Sequence, residues 1–215
     1  MRRSGARAMD HELERTLVSL EEIASGEREL RAVRHPLGFL CLPLLREGLR
    51  GTCVHLFEAG SRAEPDASPM HAHSWELHSR VLYGRVANLP VRTRAVPDGE
   101  EGATHRVFEV HSHSDGVDEI RPTPLLVRSE PGPARISTGG ETYTLPAGEF
   151  HATALEGPEP AATLVHGLSV PGRRDLSLGP LDGRPRRTTR RLCDKAQTVH
   201  SVHTVLRRID AQQRA

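Results

Sequence analysis

The sequence predicts an all-β fold, a small antiparallel barrel or sandwich with a helix at each end. Many short apolar runs follow one another from Leu37 onward, separated by turns rich in Gly and Pro. The chain of 215 residues holds 19 Gly and 16 Pro, enough to punctuate that many strands. A helical period of apolar residues is confined to the first and last stretches.

Asp10 to Ser25 carries Leu13, Leu17, Leu20 and Ala24 on one helix face, with Asp10 placed to cap the start and Gly26 to end it. Glu27 to Arg34 is a short helical or irregular stretch, and Pro36 discourages helix at His35. Leu37 to Leu42 and Thr52 to Phe57 read as strands on either side of the turn Glu47 to Gly51. Gly60 to Met70, with Pro65 and Pro69, is a loop that delivers the chain to His71. Glu76 to Val86 and Ala87 to Ala95 read as one long strand or two, interrupted at Gly84 and bent near Pro90. Pro97 to Gly102 is a turn, His105 to His111 a strand, and Ser114 to Gly116 a loop. Further short strands come from Leu125 to Arg128, Ala134 to Ser137, Glu141 to Leu145, Ala152 to Leu155 and Ala162 to Leu168.

Past Pro171 the chain is basic and turn-rich through Arg191, which reads as a solvated linker or a salt-bridged surface. Asp194 to Ile209 resumes a helical period, with Val199, Val202, Leu206 and Ile209 on one face. This helix is expected to pack outside the barrel or on a second subunit. The division is a helical extension over 1–36, a barrel over 37–170, and a basic linker with a helix over 171–215. No internal repeat is visible.

With 29 basic and 28 acidic residues the net charge is +1, so nothing draws the chain generally to nucleic acid or membrane. The arginines between Arg184 and Arg191 have no aromatic residues among them, which argues against a nucleic-acid partner. No apolar run approaches the ~18 residues needed to cross a bilayer. The basic start, Met1 to Arg7, has no apolar signal segment behind it, so a cytoplasmic protein is the simplest reading. Three cysteines, Cys41, Cys53 and Cys193, do not make a disulfide framework. Cys41 and Cys53 sit in apolar runs and read first as small buried hydrophobes; the sharper reading brings one of them to a metal pocket. Exposed edge strands and a terminal helix allow a homodimer.

The chemistry is carried by histidines. His71 and His73 form an H-x-H pair, and His151 closes the element Gly140-x5-Pro146-x-Gly148-x2-His151. That element should arise by chance in roughly one sequence in 140 of this composition, whereas about one H-x-H match is expected by luck. The longer element therefore carries the weight, and a second H-x-H at His111 and His113 reads as a surface pair. On a strand, residues two apart share a face, so His71 and His73 point the same way. His151 follows a tight turn, and the strand after that turn is free to lie against the H-x-H. Three imidazoles on one side of an ion leave open positions for a substrate, the arrangement of a reactive site.

His71-Ala72-His73 with Gly84, and the Gly140 to His151 element, resemble the two signature motifs of the cupin superfamily over about Leu37 to Val170. The resemblance implies a jelly-roll β-barrel with a metal held by His71, His73 and His151. The second motif matches through His151, with Leu155 where Asn is usual. In the first, the usual Glu position falls on Leu77 or His78, and Glu76 stands one or two places early. A three-histidine site, similar to that of cysteine dioxygenase and other thiol dioxygenases, is thus the expected form. The resemblance implies a mononuclear Fe(II)-dependent dioxygenase using O2 and a small polar substrate, such as a thiol or an amino-acid derivative. Zn, Mn, Ni or Cu are the other metals such a site accepts. The alternatives are a redox-inert metal-dependent isomerase, lyase or hydrolase, and a small-molecule-binding protein without turnover.

His78, Arg80 and Tyr83 are the candidate catalytic residues. Strict alternation from His73 turns His78 away from the pocket, and a bulge would restore it as a fourth ligand, a hydrogen-bond donor or a proton shuttle. Arg80 shares parity with His78 and suits a substrate carboxylate; Arg80, Arg85 and Arg92 otherwise face water. Tyr83 and Tyr143 are the two tyrosines, and either could donate to a bound oxygen species. Glu76 reads as a supporting or surface residue, His55, sharing a face with Cys53 and Phe57, as a satisfied core histidine ahead of a cavity-lining one, and His200 and His203 as exposed.

Overall fold

Strand periodicity and two terminal helices build a layered molecule. The computed structural model describes residues 2–214 apart from Arg62, Asp66 and Asp98, with side chains described from Met9 onward. Arg62 and Asp66, in the expected loop, and Asp98, in the expected turn, lie outside the described residues. In chain order the elements begin with α1 (Arg2–Ser25), β1 (Val33–Arg34), β2 (Leu40–Glu47), β3 (Arg50–Phe57), β4 (His71–Ala72), β5 (Trp75–Tyr83) and β6 (Arg85–Val96). There follow β7 (His105–Ser112), β8 (Val117–Pro131), β9 (Arg135–Thr138), β10 (Thr142–Leu145), β11 (His151–Leu155) and β12 (Ala161–Ser169). The chain ends with β13 (Asp175–Gly179), β14 (Arg186–Thr189), β15 (Arg191–Leu192) and α2 (Lys195–Arg214).

The strands form two antiparallel sheets. One runs β10-β5-β12-β3-β2-β1-β15 and the other β14-β8-β7-β13-β4-β11-β6-β9, with a further pairing of β6 to β8. The first sheet has two apolar jobs. Leu42, Leu44, Val54, Leu56 and Leu164 on one face bury against Leu20 and Ile23 of α1 and Val202, Val205 and Ile209 of α2. Each such side chain contributes about 1.5–3 kcal/mol on burial, so this layer anchors both helices. Alternate residues, among them Cys41, Cys53, His55, Leu77 and Ser79, line a cavity on the other face. Trp75 lies over Gly51 and Gly167 there: a Cβ on Gly167 would come within 3.0 Å of its ring.

Three expectations change. Helix α1 begins at Arg2, so Asp10 is interior and not a cap. Met9 extends the buried face by a turn, and the Asp10 carboxylate accepts a hydrogen bond from Arg80 at 2.6 Å. Gly26 ends the helix as expected, with φ +84. The segment expected to be a basic linker is folded into both sheets as β13, β14 and β15. It is held because β13 fills the gap between β7 and β4, pairing its backbone on both edges. Its arginines meet acids on β8: Arg190 donates to Asp118 at 2.7 Å and Arg187 pairs with Glu119. Strand β8 is also longer than the expected Leu125 to Arg128.

Candidate metal centre

Strand pairing brings the H-x-H and the downstream histidine together. His151 on β11 stands directly opposite His71 on β4, while Ser177 of β13 flanks His71 on the other side. His73 follows β4, its carbonyl accepting from the Gly148 amide at 2.8 Å, and the next amide, Ser74, donates to Asp175 at 2.7 Å. Gly148 has φ +81 and Gly140 φ +90, conformations that L side chains rarely adopt. The two glycines of the downstream element are thus needed by the turns that aim His151.

The three rings converge. Ring centroids lie 4.7 Å apart for His71 and His73, 4.6 Å for His71 and His151, and 5.1 Å for His73 and His151. One nitrogen from each falls within 4.8 Å of the others, close enough to share one ion. Two of the rings are fixed from behind. His71 Nδ1 donates to the Pro69 carbonyl at 2.8 Å and His151 Nδ1 to the Glu149 carbonyl at 3.2 Å. Such backbone contacts set the tautomer and leave Nε2 as a lone-pair donor. His151 Nε2 is buried with no hydrogen-bond partner, and His71 Nε2 sits 3.2 Å from His73 Nε2. A buried orphan acceptor beside two further imidazole nitrogens fits a cation.

Burial keeps all three neutral. Desolvation lowers His71 below the ordinary value of 6.5, and it lowers His73 further because His71 and His151 stand beside it. His151 is pushed down to about 4 by desolvation and then by His71. Neutral imidazole is the form that binds metals.

The cluster lies in a cavity of about 870 Å³ lined from both sheets, large enough for a small molecule. The remaining expected site residues lie elsewhere. His78 is about half exposed and faces Glu76 at 3.2 Å on the opposite side of β5 from Leu77 and Ser79. Arg80 is on that same outer side, held by Asp10 of α1. No bulge falls between His73 and Ser79 to reverse the alternation, so neither His78 nor Glu76 reaches the cavity. The bulge comes later, at Leu82, where the register to β12 slips between Thr163↔Val81 and Ala162↔Tyr83. It turns Tyr83 toward α2, where Arg208 lies 5.6 Å from the ring centroid. The tyrosine that does line the cavity is Tyr143, whose hydroxyl pKa burial raises.

Cys41, Cys53 and His55, read first as core residues, line the cavity, which is the sharper of the two readings; Cys193 is buried. The signal was the shared parity of Cys41 with the cavity face of β2 and of Cys53 and His55 with that of β3. Arg46, over Trp75 at 5.3 Å, and Arg190 also line the cavity and had no sequence signal. His111 and His113 face Glu109 and Glu119, though His113 also lines the cavity, and His200 and His203 are exposed as expected. Among the described residues no helix is long and apolar enough to cross a membrane. No protein-family model matches the chain, and no curated protein matches it.

Proposed function

We propose that the protein is a mononuclear metalloenzyme of the cupin type, with the two sheets forming a jelly-roll barrel around a three-histidine centre. The observation that carries the reading is the convergence of His71, His73 and His151 on one point of the cavity wall. The outward turn of Glu76 supports three histidine ligands without a carboxylate. Fe(II) is the first choice of metal, and when bound it supplies redox chemistry toward O2 and open positions for a substrate.

The chain's own residues do the rest. Pro69 and Glu149 carbonyls hold the His71 and His151 rings in place for metal binding. Trp75, Leu77 and Phe39 give the cavity an apolar wall. Tyr143 stays protonated and serves as a hydrogen-bond donor. Arg190 lines the cavity with its guanidinium held by Asp118 at 2.7 Å, so the choice of a small polar substrate, such as a thiol or an amino-acid derivative, rests on the likeness of a three-histidine centre to those of thiol dioxygenases.

The test is elemental analysis of protein purified without air or added metal, followed by O2 uptake with a panel of small carboxylated thiols and amino acids. Iron with substrate-dependent O2 consumption is the expected result. A stoichiometric redox-inert metal without O2 uptake would move the assignment to an isomerase, lyase or hydrolase. Absence of any bound metal would leave a binding protein.

A further inference from the structure

A second group of donors faces the same cavity from the sheet opposite. On β2 and β3, Cys41 stands directly across from His55, and Cys53 is two residues along from His55 on the same face. Sγ of each cysteine and a ring nitrogen of His55 all lie within 4.8 Å of one another. Cys53 Sγ is 3.2 Å from His55 Nε2, and Phe39 rests on the imidazole with ring centroids 4.5 Å apart. The neighbours Leu42, Val54 and Leu56 turn the other way into the helix-facing core and are fully or nearly fully buried. Cys41, Cys53 and His55 keep partial exposure on the cavity wall, so what enters the cavity meets them.

We propose that Cys41, Cys53 and His55 form a second metal site for a thiophilic divalent cation of the zinc class. Two thiolates and a neutral imidazole cancel the charge of such a cation, so it enters a low-dielectric wall without a compensating anion. The three-histidine cluster has no such compensation. Sulfur donors select Zn2+ over Mg2+ or Mn2+. Three protein donors leave a fourth position open toward the cavity, as in zinc sites that bind water or a ligand. Binding releases the two thiol protons to solvent, and no oxidant or reductant takes part.

The test uses the full chain, reduced, stripped of metal and titrated with Co2+ without air. Co2+ held by thiolates gives an intense sulfur-to-metal charge-transfer band in the near ultraviolet, which Co2+ held by histidines alone does not. The band is expected in the native protein and in His151→Ala, which separates this site from the three-histidine centre. It should be lost in Cys41→Ser and in Cys53→Ser, and Zn2+ should bleach it in the native protein. No band in the reduced native protein, or a band unchanged in Cys53→Ser, overturns the proposal. Should the serine variants not fold, alkylation of the native protein decides. Zn2+ should shield Cys41 and Cys53 from iodoacetamide at mapped peptides, and unchanged labelling of both overturns the site.

Discussion

At the scale of single residues, His151 joins burial, orientation and donor chemistry in one ring. Replacing it, His151→Ala, is expected to abolish metal loading at the three-histidine centre, read by elemental analysis. The lowered pKa values of His35, about 3, and His151, about 4, both caused first by burial, give a direction for stability against pH. Above the ordinary value of 6.5 folded and unfolded chains both hold these rings neutral, and no difference arises. Below it the unfolded chain takes up protons that the folded chain refuses, so metal-free protein should lose stability steadily from pH 6.5 toward about 4. Urea midpoints across that range check it, and a midpoint that rises on acidification would contradict the burial of these rings. Gly84 has φ +74, and a Cβ there would meet the Pro160 carbonyl at 2.4 Å. Gly84→Ala should therefore cost more than about 2 kcal/mol. Gly140→Ala, with φ +90 and open space, should cost about 1 kcal/mol. Equilibrium denaturation separates the two. The histidine triad was legible because its spacing encodes a strand pair and a glycine turn. The placement of Tyr83 was not, because a single bulge residue, Leu82, decides which face it takes and no composition rule marks it.

At the scale of elements, the two helices share a core with one sheet, and α2 is capped by Asp194, whose carboxylate accepts from the Gln197 amide at 2.7 Å. Leu20→Ala removes a fully buried side chain between α1 and that sheet, with an expected loss of about 2–5 kcal/mol. Asp194→Ala removes only the cap and should cost about 1 kcal/mol. Thermal unfolding by circular dichroism ranks them, and equal losses would mean that the helix layer is not the anchor described. Both helices were readable from periodicity, because an apolar stripe on a helix has one destination. Strands β3, β5 to β7 and β9 to β12 were readable too, since Gly and Pro turns bound them, whereas β2 lies later than the expected Leu37 to Leu42 and most of β8 was missed. Strands β13 to β15 were hidden by their arginines, whose partners Asp118 and Glu119 lie far back in the sequence. His78 and Arg80 were placed at the site although plain alternation from His73 turned them outward, which is where they lie.

At the scale of the whole molecule, the last strands are structural partners of the three-histidine cluster and not an appendage. A chain ending at Val170 lacks β13, which flanks His71, and Asp175, which holds the amide after His73. Such a truncation is expected to lose the cooperative unfolding transition and metal loading together, checked by circular dichroism and elemental analysis. Survival of both would show that β13 is dispensable. The arrangement of β13 also sets an order of events during synthesis. The rings of His71 and His73 leave the ribosome before Asp175 to Gly179 has been translated, and at ordinary elongation speeds the wait is roughly 5–20 s. A nascent chain thus carries exposed imidazoles with no cradle behind them, and an ion captured then would be held by a loop free to let it go. Secure capture would therefore wait until Asp175 to Gly179 has joined the sheet, and an ion met before that point would have no settled site.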